Sequence, residues 1–139
     1  MPEGHRTFDH TGDLGLEVWA DSPERLYGCA AEALMAQIAE STPGEAPLRC
    51  RIDIEGDDPA DLFIHWLNTV LLEAELARAI WTQARLQRLT ATHVAALLEG
   101  QARDPARQVF LREIKAVSHH HLMLDLESRP CRCRLVLDL

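Results

Sequence analysis

The segment 57–71, with the sequence DDPADLFIHWLNTVL, decides the fold class because it is the clearest helix in the chain. The pair Asp58-Pro59 is typical of a helix start, since the carboxylate can cap the first amides and proline suits the first turn. Apolar residues then recur at helical spacing and predict a broad buried face: Leu62, Phe63, Trp66, Leu67, Val70 and Leu71. The segment therefore predicts an amphipathic helix that packs on another layer.

Two strands and a second helix precede this segment. Residues 48–55 alternate apolar and charged side chains, which is typical of a strand with one buried face. Residues 14–20 alternate in the same way and predict a first strand. Ser22 and Pro23 then begin a helix whose apolar residues recur every four positions, and we expect it to end at residues 42–44, a Thr-Pro-Gly sequence.

The chain after residue 80 carries weaker signals. Residues 80–89 and 92–98 are compatible with two strands, whereas residues 91–101 are also acceptable as a helix on propensity alone. Residues 103–107 place arginines around a proline and predict a loop or a short turn. Three strand-like runs close the chain: residues 113–118, 122–126 and 131–139.

The last of these runs has two distinct faces. Its odd-numbered residues are apolar or cysteine, and we expect them to face the core: Cys131, Cys133, Leu135, Leu137 and Leu139. Asp138 is then expected to point away from the core. Taken together, the elements predict one α+β domain over residues 1–139, a two-layer sandwich in which a largely antiparallel β-sheet has two α-helices packed on one face.

Composition narrows the possible functions. The 139 residues include 22 acidic side chains against 14 Lys and Arg, for a net charge of −8, which argues against a domain that grips a phosphate backbone by itself. No apolar run approaches the roughly 20 residues that a membrane span needs, and the first residues do not resemble a signal peptide. The four cysteines lack zinc-site spacing and are expected to be reduced thiols in a cytoplasmic protein.

A short polar motif, DHTGDLG at residues 9–15, has two interpretations. It is either a turn in which Asp9 or Asp13 binds backbone amides, or part of a cation site. If the fold brings it to the other end of the chain, Asp13, Asp138 and the free carboxylate of Leu139 form a cluster of three carboxylates. Such a cluster stays ionised only around a cation, and oxygen ligands suit Ca²⁺ or Mg²⁺.

Three consecutive histidines at residues 119–121 also have two interpretations. They are a solvated strand end, or one of them is a functional imidazole. Lys115, taken alone, is a surface lysine. Because the chain has no nucleophile elbow and no phosphate-binding loop, a catalytic function would depend on the acidic cluster together with His120. That alternative is a metal-dependent phosphoesterase or nuclease.

Four segments in this order along the chain closely resemble the archease family: residues 9–15 (DHTGDLG), 66–68 (WLN), 114–118 (IKAVS) and 136–139 (VLDL). The resemblance implies a small α/β sandwich protein that is not itself a catalyst. Archeases are accessory factors of RtcB-type RNA ligases, which join 2′,3′-cyclic phosphate or 3′-phosphate RNA ends to 5′-hydroxyl ends. The family promotes guanylylation of the ligase and its multiple turnover in tRNA splicing or RNA repair.

The resemblance also implies roles for individual residues. Carried over by position, the metal ligands are Asp13, Asp138 and Leu139, the last through its terminal carboxylate. Four further positions are expected to contact the partner or to act in the function: Asp9, His10, Lys115 and His120. The implied partner is the ligase, with RNA reached only through it and no membrane involved.

The chain departs from the family pattern at three positions. Gly12 stands where alanine is frequent, and His119 stands where tyrosine is frequent. Gln108 stands where a histidine is often found. The three departures leave the implied ligand set intact.

Overall fold

The computed structural model describes residues 3–42, 44 and 47–139. Within these residues the elements follow one another along the chain in the order β1 (Gly4–His10), β2 (Asp13–Ala20), α1 (Pro23–Ile38), β3 (Ala39–Ser41), β4 (Leu48–Glu55), α2 (Pro59–Ala77), β5 (Ala79–Leu89), β6 (His93–Ala102), β7 (Gln108–Phe110), β8 (Ala116–Asp125) and β9 (Cys131–Asp138).

The strands of the described residues form three sheets, and each strand pair is antiparallel. The four-stranded sheet has the order β1-β2-β9-β8, the three-stranded sheet has the order β4-β6-β5, and β3 pairs with β7. Both helices contact strands of the two larger sheets. The predicted α+β sandwich with two helices is confirmed, with its strands divided among separate sheets.

Local capping explains where both helices begin. The Ser22 side chain accepts a hydrogen bond from the Arg25 amide at 3.1 Å, and Asp58 accepts one from the Asp61 amide at 2.8 Å. A proline occupies the first turn of each helix. A capping side chain of this type stabilises a helix by roughly 1 kcal/mol. The predicted starts of α1 and α2 are therefore confirmed.

The predicted end of α1 at residues 42–44 is wrong, because a short strand lies between the helix and these residues. The helix ends at Ile38, and the chain passes directly into β3, where Ala39 lies opposite Phe110 of β7. The physical reason is a long-range strand pairing, which a local turn signal at residues 42–44 does not reveal. Within that signal, Pro43 lies outside the described residues.

The ambiguous region after residue 80 forms strands. Residues 79–102 make a hairpin of β5 and β6, so the helical alternative for residues 91–101 is wrong. The sequence does not predict strand β1, because its residues do not alternate regularly and most of its side chains are exposed at the sheet edge. Parts of both predicted runs, 113–118 and 122–126, instead belong to one strand, β8, which has a register shift between Ser118 and Met123.

The core contains buried residues of both helices and of the three-stranded sheet, and it packs against one face of the four-stranded sheet. Leu16 and Val18 of β2 and Leu135 and Leu137 of β9 are completely buried on this face. Trp66 of α2 is also fully buried, and its Nε1 donates a hydrogen bond to the Tyr27 carbonyl of α1 at 3.0 Å, which ties the two helices together. The opposite face of the sheet faces outward, and it carries the predicted site.

The cysteines and the helices bear on two further predictions. The structure records Cys29, Cys50, Cys131 and Cys133 as free thiols. Burial raises the pKa of Cys29 and of Cys133 to about 12, which suppresses thiolate formation.

Neither α1 nor α2 has the length and apolar composition that a membrane crossing requires.

Candidate functional site

The motif at residues 9–15 folds as a tight hairpin between β1 and β2. His10 pairs with Asp13, and Thr11 and Gly12 form the two-residue connection. Gly12 has φ +76°, a backbone conformation that glycine adopts without a steric cost. The hairpin places His10 and Asp13 side by side at the end of the sheet.

The two predicted carboxylate side chains lie on neighbouring strands. Leu14 of β2 pairs with Leu137 of β9, so the same register places Asp13 opposite Asp138. Residues opposite each other on antiparallel strands share a face, with Cβ atoms about 4.5–5.5 Å apart. Asp138 is exposed, and the Asp13 side chain is 35% exposed. The fold thus brings together two like charges from distant parts of the chain.

Lys115 lies beside the end of β9. Its amide donates a hydrogen bond to the Asp138 carbonyl at 2.8 Å, which continues the β8–β9 ladder beyond the pair Ala116–Asp138. The same register places Lys115 opposite Leu139. Both residues are exposed. Lys115, Asp13, Asp138 and Leu139 therefore meet at one end of the four-stranded sheet.

Asn68 holds this end of the sheet in place from the helix side. Its Nδ2 donates to the Val117 carbonyl at 3.0 Å, and its Oδ1 accepts from the Val117 amide at 2.8 Å. The side-chain amide thus satisfies the outer edge of β8 two residues from Lys115. The residues alone did not assign Asn68 this role. The available signal was a polar residue beside the apolar face of a strongly predicted helix.

The histidines meet His10 through His121. The His10 and His121 ring centroids are 5.2 Å apart, and those of His120 and His121 are 3.8 Å apart. His121 has φ +61° and lies within the register shift of β8. The side chains of this part of the strand therefore do not alternate regularly between its two faces. His121 was not singled out from the sequence, because a regular strand would have placed it with His119.

The predicted His120 and Asp9 occupy less central positions. His120 contacts His121, and its amide donates to the Ser118 hydroxyl at 3.0 Å. Asp9 pairs with Leu14 and is exposed, on the strand face opposite to that of His10. Asp9 and His10 both line a cavity of about 300 Å³ that also reaches His121.

His10 has an unusual environment beside Asp13. Its Nδ1 is buried and has no hydrogen-bond partner among the described residues, and it lies 3.9 Å from Asp13 Oδ2. That separation is too long for a hydrogen bond. His10 and Asp13 therefore lie within ion-pair distance but share no hydrogen bond.

The donor set permits a test of the predicted cation site. The described residues contain no group of three His, Cys, Asp or Glu side chains that could hold a metal ion. The predicted set differs in composition, because it combines two side-chain carboxylates with the main-chain carboxylate of Leu139. Carboxylate oxygens are the ligands that a hard cation such as Ca²⁺ or Mg²⁺ prefers. Their role as ligands remains a prediction.

The fold and this end of the sheet define a small α+β sandwich in which residues from both ends of the chain meet beside a hairpin. Over residues 5–139 the chain matches the Archease protein family (MTH1598/TM1083), and it belongs to that family. The resemblance inferred from the four motifs is confirmed.

Named relatives agree with this assignment. The chain is 30% identical to a protein named "Protein archease" from Methanopyrus kandleri over 135 residues, which cover 95% of this chain and 96% of the relative. It is 24% identical to "Protein archease" from Methanothermobacter thermautotrophicus, with 99% of each chain covered. The solution structure of Methanobacterium thermoautotrophicum protein 1598 is similar in fold, with a TM-score of 0.78, 22% identity, and 98% and 99% of the two chains covered.

Proposed function

We propose that this protein is a non-catalytic activator of an RtcB-type 3′-phosphate/5′-hydroxyl RNA ligase, and that it promotes ligase guanylylation and multiple turnover in tRNA splicing or RNA repair. The observation that carries the proposal is the convergence of Asp13, Asp138, Leu139 and Lys115 at one exposed end of the four-stranded sheet. Membership of the archease family supports the same function.

In this proposal the end of the sheet holds a divalent cation, Ca²⁺ or Mg²⁺. The side chains of Asp13 and Asp138 and the terminal carboxylate of Leu139 would be its ligands. When bound, the cation would neutralise part of the negative charge of three carboxylates that otherwise repel one another. Lys115 contributes a second cationic group next to Leu139, at the position where the ligase is expected to dock.

Charge favours association with a basic partner. The chain carries a net charge of −8, and an enzyme that binds RNA exposes positive surface. Complementary charge accelerates association more than it increases final affinity. We therefore propose that the ligase is the partner, that RNA is joined at the ligase active site, and that both proteins act in the cytoplasm.

The test uses purified ligase, GTP and single-residue variants. Asp13→Asn and Asp138→Asn are expected to fold normally and to lose stimulation of ligase guanylylation. Asp53→Asn is the matched control, because Asp53 is also an exposed strand carboxylate beside a histidine, His93, but lies on the three-stranded sheet. Full stimulation by both Asp13→Asn and Asp138→Asn would refute the proposal.

The same preparations test the alternative enzyme. A phosphoesterase or nuclease using Asp13, Asp138 and His120 would hydrolyse RNA or phosphate esters with divalent metal and without ligase. A hydrolase with two metal ions normally supplies further carboxylates that point into the site. Ligase-independent turnover that is lost in Asp138→Asn would favour the enzyme over the activator.

A further inference from the structure

The outward face of the four-stranded sheet carries arginine and aromatic side chains in two adjacent rows. The strand registers align one row as Arg6, Glu17, Arg134 and Met123, and the next as Gly4, Trp19, Arg132 and Asp125. A third row contains Phe8, Gly15 and Val136. The acidic row with His10, Asp13 and Asp138 lies beyond it, at the end of the sheet described above.

The two aromatic rings of this face each lie against a glycine of the neighbouring strand. A Cβ atom added at Gly15 would be 2.2 Å from the Phe8 ring, and one added at Gly4 would be 2.8 Å from the Trp19 ring. Each ring therefore covers a glycine of the neighbouring strand. The Phe8 ring is in turn covered by Arg134, and Trp19 is partly exposed.

Arginine planes extend this surface. The Arg134 guanidinium lies 4.0 Å from the centroid of the Phe8 ring, so its outer face is the one available to a ligand. The Arg134 side chain is 50% exposed and that of Arg6 is 68% exposed. Aromatic faces and guanidinium planes are the surfaces on which unpaired bases stack.

The charge of these two rows is opposite in sign to that of the whole protein. Three arginines face two carboxylates, Glu17 and Asp125. Glu17 lies 3.3 Å from Arg6 and 3.9 Å from Arg134. Asp125 accepts hydrogen bonds from the amides of Glu127 and Ser128 at 3.0 Å each, which compensates part of its charge. Arg6 Nη2 donates hydrogen bonds to both Glu17 carboxylate oxygens at 3.3 Å each. The other guanidinium donors of Arg6, and those of Arg132 and Arg134, form no hydrogen bond with the described residues and can bind an anionic ligand.

The spacing of the arginines and the cavities beside them favour a polymeric ligand. Arg132 and Arg134 are two residues apart on β9 and so lie about 6.7 Å apart along the strand, which is comparable to the separation of successive phosphates in an extended single strand. A cavity of about 200 Å³ lies between Arg6, Trp19 and Arg132. The cavity of about 300 Å³ described beside Asp9 and His10 extends along Phe8, Arg134 and Met123.

From these observations we propose that the outward face of the four-stranded sheet binds single-stranded nucleic acid. The bases stack on Trp19 and on the Arg134 plane, and the phosphates contact Arg6, Arg132 and Arg134. The acidic row repels phosphates, so the nucleic-acid strand is confined to the arginine rows. Four-stranded antiparallel sheets with aromatic side chains bind single-stranded RNA in this way elsewhere. The site goes beyond the proposed ligase activation, in which RNA is reached only through the ligase.

The test measures anisotropy of a fluorescent 12-nucleotide oligo(U) with purified protein in EDTA and without ligase. We expect saturable binding with a slope of roughly −2 in log affinity against log salt, for about three neutralised phosphates. Arg132→Ala and Arg134→Ala are each expected to weaken binding about tenfold and to reduce the slope by about 0.7. Arg49→Ala is the matched control, because Arg49 is an exposed arginine of β4 that pairs with Glu99 of β6. This variant should leave binding unchanged.

Three further arms identify the ligand. Oligo(dT) distinguishes RNA from DNA, and binding of either supports the proposal because stacking and phosphate contacts do not require the 2′-hydroxyl. The proposal would be overturned if duplex RNA bound as tightly as oligo(U). It would also be overturned if Arg132→Ala and Arg134→Ala bound oligo(U) as tightly as Arg49→Ala. If the wild type does not bind oligo(U) and Arg134→Ala loses ligase binding, this face is a protein contact. That result would also overturn the proposal.

Asp13→Asn separates this proposal from the ligase activation. That variant is expected to keep oligo(U) binding while losing activation. Failure of either proposal therefore leaves the other standing.

Discussion

Asn68 of α2 binds both main-chain polar groups of Val117 through its side-chain amide, at 3.0 Å and 2.8 Å. A side-chain amide has the same donor and acceptor geometry as a peptide, so Asn68 takes the place of one residue of an additional strand at the edge of β8. Two residues before Val117, Lys115 donates its amide to Asp138. The helix thereby fixes the strand that carries Lys115 to the end of β9.

Replacement of Asn68 by alanine is expected to destabilise the protein and to loosen this strand. The two hydrogen bonds are lost and the polar groups of Val117 are left without their partner, which costs roughly 1–3 kcal/mol. Urea unfolding measures the free energy, and hydrogen exchange of the Val117 amide reports the local effect. Thr69→Ala on the same helix is the control, because the Thr69 hydroxyl bonds only the His65 carbonyl within α2. Equal stability of wild type and Asn68→Ala would contradict the role assigned to Asn68.

Addition of Ca²⁺ is expected to raise the melting temperature of the wild-type protein, because a cation bound only by the folded state adds to its stability. The gain is about 2.7 kcal/mol when free Ca²⁺ is 100 times its Kd. Asp138→Asn and a chain extended beyond Leu139 should lose this response, while Asp53→Asn should keep it. Calorimetric scans in EDTA, Ca²⁺ and Mg²⁺ provide the measurement. An undiminished response from the extended chain would exclude the terminal carboxylate as a ligand.

The Cys133 thiol is expected to make stability depend on pH in the alkaline range. Burial raises the pKa of this thiol from 9.0 to about 12 in the folded protein. The folded state therefore retains a proton that the unfolded state loses between these two values. The stability that the neutral thiol contributes is complete below pH 9 and falls as pH rises toward 12, by up to about 1.4 kcal/mol per pH unit.

Urea unfolding of the wild type and of Cys133→Val at several pH values from 8 to 11 tests this expectation. The variant keeps an apolar side chain of similar size in the core but has no proton to lose. Its free energy of unfolding should decline less steeply with pH than that of the wild type. Parallel curves for the two proteins would show that the buried thiol does not titrate as expected.

The candidate site was only partly predictable from the sequence. Asp13, Asp138 and Leu139 were selected because carboxylates at both ends of the chain suggested one cluster, and the β2–β9 register does place Asp13 opposite Asp138. The histidine run predicts a role for His120, whereas His121 is the histidine whose ring approaches His10. The register shift of β8 decides which histidine approaches His10, and a shift of this kind leaves no mark in residue spacing.

The sequence by itself determined the two helix starts and the main strands, because caps, prolines and apolar periodicity act between residues that are close along the chain. Only the tertiary structure decided which side chains share the outward face of the sheet. Arg6 and Arg134 lie on either side of Glu17 because β2 pairs with β1 on one edge and with β9 on the other. Such neighbours arise from strand register, and register is set by core packing across the whole chain.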